Sequence, residues 1–166
     1  MTLARDTIFS PCRTYRYTLW RTWDMFNPTF LQIIGLNPST ADEILDDNTV
    51  RRCINYAQRW GYGALCMTNL FAYRATDPMK LRTESDPVGP ENDLWLLQIA
   101  QEASLILAAW GVHGAYLCRD RAVQALLQRW QLVCLGTTKD GFPRHPLYVA
   151  KTCTPHSLIT KKGGLW

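Results

Sequence analysis

The stretch FLQIIGLNPSTAD, residues 30–42, decides the fold class, because an apolar run breaks off there into a cluster of polar residues. Three further apolar runs, residues 64–70, 104–110 and 131–135, end in the same way. Short apolar runs bounded by turn residues are typical of buried strands. If the four strands are parallel, their polar ends share one edge of the sheet, which is where open α/β folds bind ligands.

Helical patterns separate these runs. Asp46 and Asp47 are good helix caps, and apolar residues recur after them at three- and four-residue spacing up to Trp60. Two more helices are expected over residues 91–103, after Pro90, and over residues 119–130. Strands that alternate with helices predict a three-layer α/β/α sandwich around a mainly parallel, four-stranded central sheet.

An antiparallel strand is expected at the N-terminal side of this sheet. Residues 14–23 alternate bulky and polar side chains with the period of a half-exposed strand. A turn-like segment, residues 24–28, separates them from the next strand, which predicts a hairpin between residues 14–23 and 30–36. With 166 residues, the chain is expected to form a single domain over residues 1–166.

Composition limits the class of protein. The chain is 47% hydrophobic and 19% charged, which is typical of a globular protein. No apolar run is long enough for a membrane-spanning helix and residues 1–6 lack the core of a secretory signal, so a cytoplasmic protein is expected. The net charge of +4 is compatible with DNA or a nucleotide as partner. The composition does not indicate an oligomeric state.

The cysteines do not predict a metal site. No Cys-x-x-Cys pair occurs among the six, and three of them lie in apolar stretches. Free thiols in a reducing compartment are the favoured interpretation, and a nucleophilic cysteine paired with a histidine stays open. The six are Cys12, Cys53, Cys66, Cys118, Cys134 and Cys153.

The first polar cluster offers a fixed amide. Asn37 precedes Pro38, which holds it in an extended conformation and leaves its amide as a positioned donor and acceptor. Ser39 or Thr40 can cap a following helical turn or line a binding site. The competing interpretation is that residues 37–40 are an ordinary turn sequence.

The second cluster combines an amide with aromatic rings. Asn69 can pair with the hydrogen-bonding edge of a base, and Phe71 or Tyr73 offers a flat stacking surface, with Arg74 close by. An asparagine at a strand end is also a common loop residue that bonds only to the backbone.

The third and fourth clusters add a ring and basic side chains. Trp110 follows the third strand as a core residue or pocket wall, and His113 is a weaker candidate than His145. In the fourth cluster, His145 precedes Pro146 and is held out of helical geometry, where it can donate to developing negative charge. Lys139 or Arg144 can bind phosphate. A solvated loop with an incidental histidine is the alternative.

Common cofactor motifs are missing from the sequence. It contains no phosphate-binding loop, dinucleotide turn, nucleophile elbow or His-Glu-x-x-His pair. The nucleotide hydrolase, dehydrogenase, esterase and metalloprotease interpretations lose support, and neither a cofactor nor a metal is predicted.

The motifs taken together resemble a family. Residues 35–42, 47–52, 60–63, 68–74, 86–93 and 144–148 look like the bacterial and phage family called domain of unknown function sixteen forty-three. The same layout is more distantly similar to the uracil-DNA glycosylase superfamily, an α/β/α fold with its motifs at strand ends. Two departures from that superfamily are Ser39, where its related branches have Gly, and the Leu147-Tyr148 pair, which replaces small polar residues.

The glycosylase resemblance implies roles and a reaction. Asn37 would position a water and His145 would donate to the departing base, while Asn69 reads that base and Phe71 stacks on it. The expected function is hydrolysis of an N-glycosidic bond in DNA or a nucleotide. The alternatives are a non-catalytic nucleic-acid or nucleotide binding module with the same pocket and an unrelated small-molecule enzyme.

Overall fold

The computed structural model describes residues 3–39, 41 and 43–159. Its strands form one mixed sheet of seven, in the order β1-β2-β4-β3-β5-β6-β7. The strands are β1 (Ala4–Phe9), β2 (Arg16–Thr22), β3 (Phe30–Gly35), β4 (Ala64–Asn69), β5 (Leu105–Ala108), β6 (Leu132–Cys134) and β7 (His156–Ser157).

The described residues form three α-helices, which cover the two faces of the sheet. They are α1 (Asn48–Arg59), α2 (Asn92–Glu102) and α3 (Arg119–Leu126), with shorter 3₁₀ segments at Pro78–Arg82, Val112–Cys118 and Pro146–Tyr148. The apolar side of α1 packs with Leu31 and Ile33 of β3, while α2 and α3 pack with Ile34. Because successive strand residues point to opposite faces, α1 lies on one face and the other two helices lie on the other.

The middle of the sheet is parallel, as the sequence predicted. β3 pairs in parallel with β4 on one side and β5 on the other, and β5 pairs in parallel with β6. β3 is therefore buried on both faces and at both edges, which explains why its sequence is apolar apart from Gln32. The mixed α/β class is confirmed, and the carboxyl ends of these strands lie at one edge.

The predicted hairpin between the second and third strands is wrong. β2 pairs antiparallel with β4, which lies between β2 and β3. The loop from β2 to β3 crosses the start of β4 at Gly63, whose nitrogen donates to Thr29 O at 3.0 Å. A side chain at Gly63 would meet Asn27 O at 2.2 Å, so this crossing requires glycine. Alternation showed that residues 16–22 form a strand, but it carries no information on which neighbour the strand pairs with.

The edges of the sheet contain strands that the sequence analysis missed. β1 is charged and mostly exposed and pairs antiparallel with β2, and β7 is a two-residue strand beside β6. The expected helix over residues 119–130 ends earlier, since α3 stops at Leu126. No helix in the described residues has the length and apolar character that crossing a membrane requires.

Candidate active site at the carboxyl edge of the sheet

A cavity of about 570 Å³ opens at the carboxyl ends of β3 and β4 and is closed by the loops after β5 and β6. Its place agrees with the expectation for the parallel strands in the middle of the sheet. The structure brings together six of the residues that the sequence analysis singled out as catalytic or substrate-binding. These six are Asn37, Ser39, Asn69, Trp110, Arg144 and His145.

Asn37 is fixed by its own side chain. The pairing of β3 with β4 continues beyond the strands, because Leu70 N donates to Gly35 O at 2.9 Å and Ala75 N donates to Pro38 O at 3.0 Å. Between these segments, Asn37 Nδ2 donates to Pro38 O at 3.0 Å and to Ala75 O at 2.7 Å. Both amide hydrogens are used, and no donor among the described residues reaches Asn37 Oδ1. That oxygen is left as an acceptor at the cavity wall.

Asn69 is a buried amide with an unused donor. It is the last residue of β4, pairs in register with Gly35 of β3, and is 3% exposed. Its Nδ2 has no hydrogen-bond partner among the described residues. A buried amide without a partner is costly, and its position at a cavity indicates a ligand or a water as the missing acceptor.

Side chains from the two helices on the opposite face from α1 hold the end of β4. Asn92 Nδ2 of α2 donates to Asn69 O and Leu70 O, both at 3.0 Å. Arg119 Nε of α3 donates to Leu70 O at 2.8 Å, and its guanidinium forms an ion pair with Asp93. These buried bonds fix the backbone that carries Asn69.

His145 presents one nitrogen to the site as a donor. Leu147 N donates to His145 Nδ1 at 3.2 Å, so the neutral ring carries its proton on Nε2. Burial lowers the pKa of the imidazole below its ordinary 6.5, and the carboxylate of Asp47 raises it by a smaller amount. At neutral pH, His145 is therefore an uncharged N–H donor.

α1 holds the loop that carries His145. Arg52 Nη1 donates to Val149 O at 2.8 Å and to Pro146 O at 3.4 Å. Tyr56 Oη donates to Ala150 O at 2.9 Å. These bonds tie the segment that directly follows His145 to α1.

Charged side chains of both signs line the cavity. Arg16 at the start of β2 is 3% exposed and donates to Ala41 O, and Arg144 is exposed and donates from Nε to Thr137 O at 3.1 Å. Asp47 is the one carboxylate among the described lining residues. The exposed guanidinium of Arg144 can attract an anionic group of a ligand.

Four of the predicted binding residues do not line the cavity. Phe71 is fully buried with its ring centroid 5.7 Å from that of Tyr116, which leaves the ring no free face for a base. Tyr73 contacts Tyr15 edge-on, the Arg74 guanidinium lies 4.7 Å from the ring of Phe9, and Lys139 is an exposed loop residue. Thr40 lies outside the described residues.

The cavity also contains residues that the sequence analysis assigned to no site. Asp47 was interpreted only as a helix cap, and Arg16 only as part of a strand. Tyr148 is 79% exposed at the cavity mouth, with its ring centroid 5.6 Å from that of His145. An aromatic residue three positions after His145 was a usable signal for Tyr148, whereas nothing in the local sequence places Arg16 beside the strand ends. His113, which was ranked behind His145, also lines the cavity.

Fold and site together define a mixed α/β protein with a cavity at the carboxyl ends of the parallel strands in the middle of its sheet. The chain belongs to a family of proteins of unknown function, DUF1643, whose model matches residues 16–147. The first resemblance drawn from the sequence is thereby confirmed. Neither the curated proteins nor the solved structures include a match to the chain, so the similarity to uracil-DNA glycosylases stays a prediction.

Proposed function

We propose that the protein hydrolyses the N-glycosidic bond of a base in DNA or in a nucleotide. The observation that carries the proposal is the paired presentation of an acceptor and a donor in one cavity, Asn37 Oδ1 and His145 Nε2–H. On this proposal the layers around the sheet form an α/β/α sandwich of the glycosylase kind.

The reaction needs little base strength. The C1′–N bond is nearly broken in a transition state where the sugar resembles an oxocarbenium ion and the base carries negative charge. Asn37 Oδ1 accepts a hydrogen bond from a water and holds it toward C1′. His145 donates a hydrogen bond from Nε2 to an oxygen of the departing base, and as a neutral imidazole it stabilises the negative charge there while keeping its proton.

The other lining residues recognise the substrate. Asn69 supplies the unused amide that pairs with the edge of the base. Tyr148, rather than the buried Phe71, offers an accessible ring for stacking. Arg144 is exposed at the site and binds phosphate, with Ser39 and Trp110 as walls.

The proposed setting is the cytoplasm, and the proposed partner is DNA or a nucleotide. All six cysteines are free thiols, as is usual in a reducing compartment. Among the described residues, no group of three or more His, Cys, Asp or Glu is placed to hold a metal ion. The proposed chemistry needs none.

The test is mass spectrometry of bases released from a panel of substrates. The panel contains uracil-bearing, mismatched and modified DNA, single-stranded and duplex, and 2′-deoxyuridine 5′-monophosphate. We expect the wild type to release a free base from at least one of them, and Asn37→Ala and His145→Ala to release it at least 100-fold more slowly. Binding of these probes without release would support a binding module instead, and affinity for a small metabolite alone would support an unrelated enzyme.

A further inference from the structure

The carboxylate of Asp47 lies at the cavity, at the N-terminus of α1. Asp47 is the N-cap of this helix, and its Oδ1 accepts from Val50 N at 2.8 Å. Asp47, Thr49 and Val50 all line the cavity, so the first turn of the helix forms part of its wall. No donor among the described residues reaches the second oxygen, Asp47 Oδ2, which is available to a ligand.

Asp47 and Arg144 place charges of opposite sign on the wall of the cavity. A helix N-terminus favours anions, but here the cap itself carries the negative charge and opposes the binding of a phosphate. Arg144 is the exposed cation on the loop after β6 and offers a better place for that phosphate. A ligand with an anionic group is therefore oriented with its uncharged or cationic part toward Asp47.

We infer that Asp47 is a further catalytic residue, which acts on the sugar in the reaction proposed above, and this inference rests on that proposed function. Its carboxylate stabilises the positive charge that develops on the sugar ring. As the C1′–N bond breaks, its electron pair goes to the base nitrogen. The water oxygen then forms the new bond to C1′, and Asp47 Oδ2 accepts the proton that this water loses. That proton returns to the released base through solvent, so neutral base and sugar product result.

Substitution can separate this role from helix capping. Asparagine and serine cap helices about as well as aspartate, so Asp47→Asn and Asp47→Ser keep the bond from Val50 N and remove only the charge. Asp77 supplies a matched control. It caps the 3₁₀ segment Pro78–Arg82 by accepting from Met79 N at 2.9 Å, but it does not line the cavity.

The kinetic experiment uses the full chain and a single-stranded oligonucleotide with one 2′-deoxyuridine, together with the rest of the panel above. We expect Asp47→Asn and Asp47→Ser to lower kcat roughly 100-fold with little change in KM and an unchanged melting temperature. Asp77→Asn should release base at the wild-type rate. Wild-type release by Asp47→Asn would overturn the role of Asp47 alone, whereas no release by any protein, wild type included, would contradict the proposed function.

A second readout needs no substrate. The carboxylate of Asp47 raises the pKa of His145 against the larger lowering by burial, so NMR titration of the ring should give a lower pKa in Asp47→Asn than in the wild type. An unchanged pKa would show that the carboxylate does not act across the cavity and would overturn the inference. The titratable or charged residues that line the cavity with His145 are Arg16, Asp47, His113, Arg144 and Tyr148.

Discussion

The side-chain nitrogen of Asn37 donates to the main-chain oxygen of Ala75 at 2.7 Å, across the gap between the segments that follow β3 and β4. A second bond to Pro38 O at 3.0 Å uses the other amide hydrogen. Asn37 is therefore a clamp between two segments as well as a cavity residue. The orientation of its amide follows from two fixed acceptors, which leaves only the oxygen for a water or a ligand.

Asn37→Asp tests this orientation. At pH 7 a carboxylate would place an oxygen against the carbonyls of Pro38 and Ala75, and we expect the free energy of unfolding to fall by about 2 kcal/mol. The folded state then disfavours the charged form, so the pKa of the new carboxyl rises and the loss shrinks as the pH falls toward 4. Urea unfolding at several pH values measures this. Asn37→Ala should show a loss that does not vary with pH, and the same behaviour in Asn37→Asp would contradict the assigned orientation.

Gly35→Ala tests the contact between the carboxyl ends of β3 and β4. A Cβ atom at Gly35 would lie 2.9 Å from Asn69 Oδ1, so the asparagine must shift. We expect a loss of about 1–3 kcal/mol in the free energy of unfolding, together with weaker ligand binding. In an Asn69→Ala background the clash is absent, and the same substitution should cost little. Equal costs in the two backgrounds, measured by urea unfolding, would show that the clash does not exist.

Arg52→Ala tests whether α1 positions the loop of His145. Removal of the guanidinium takes away its bonds to Val149 O and Pro146 O, worth about 1 kcal/mol in total. We expect faster amide hydrogen exchange over residues 145–150 and slower base release, with the rest of the sheet unchanged. Arg59→Ala, an exposed arginine on the same helix, is the control and should alter neither. Unchanged exchange in Arg52→Ala would refute the positioning role.

Cys12 should be the most reactive thiol of the protein. It is exposed, and its hydrogen bonds with Ser10 and Thr14 lower its pKa to about 7. Burial raises the pKa of Cys53 and Cys66 instead. Alkylation by iodoacetamide, followed by mass spectrometry, should increase with pH at Cys12 with a midpoint near pH 7, since the thiolate forms above the pKa. Thr14→Val should move this midpoint upward, and a wild-type midpoint at the ordinary 9.0 would contradict the prediction.

The sequence predicted those elements whose local residue pattern matches their burial or their place at a helix end. β3 is apolar apart from Gln32 because it is buried on both faces, and Asp47 caps α1 because a helix needs an acceptor at its first turn. Neither signal contains pairing information, which is why β2 was assigned to the wrong neighbour. The charged β1 and the two-residue β7 carry too little apolar pattern to be recognised.

Some residues of the candidate site could be predicted from the sequence and others could not. Asn37 lies two residues after β3 and Asn69 ends β4, so the parallel arrangement was enough to bring them together. His145 lies eleven residues after β6, and the loop that carries it returns to the same cavity. Phe71 was predicted to stack on a base because it lies two residues after Asn69, but its side chain is buried in the core. Arg16 reaches the site from the start of β2, and only the unexpected pairing of β2 with β4 explains its presence.

Base release from one matched set of proteins tests the central claim most directly. The wild type, Asn37→Ala and His145→Ala are incubated with the substrate panel, and free bases are quantified by mass spectrometry after circular dichroism has shown that all three are folded. The account predicts release by the wild type and at least a 100-fold slower release by each variant. Equal release by the wild type and both folded variants would contradict it.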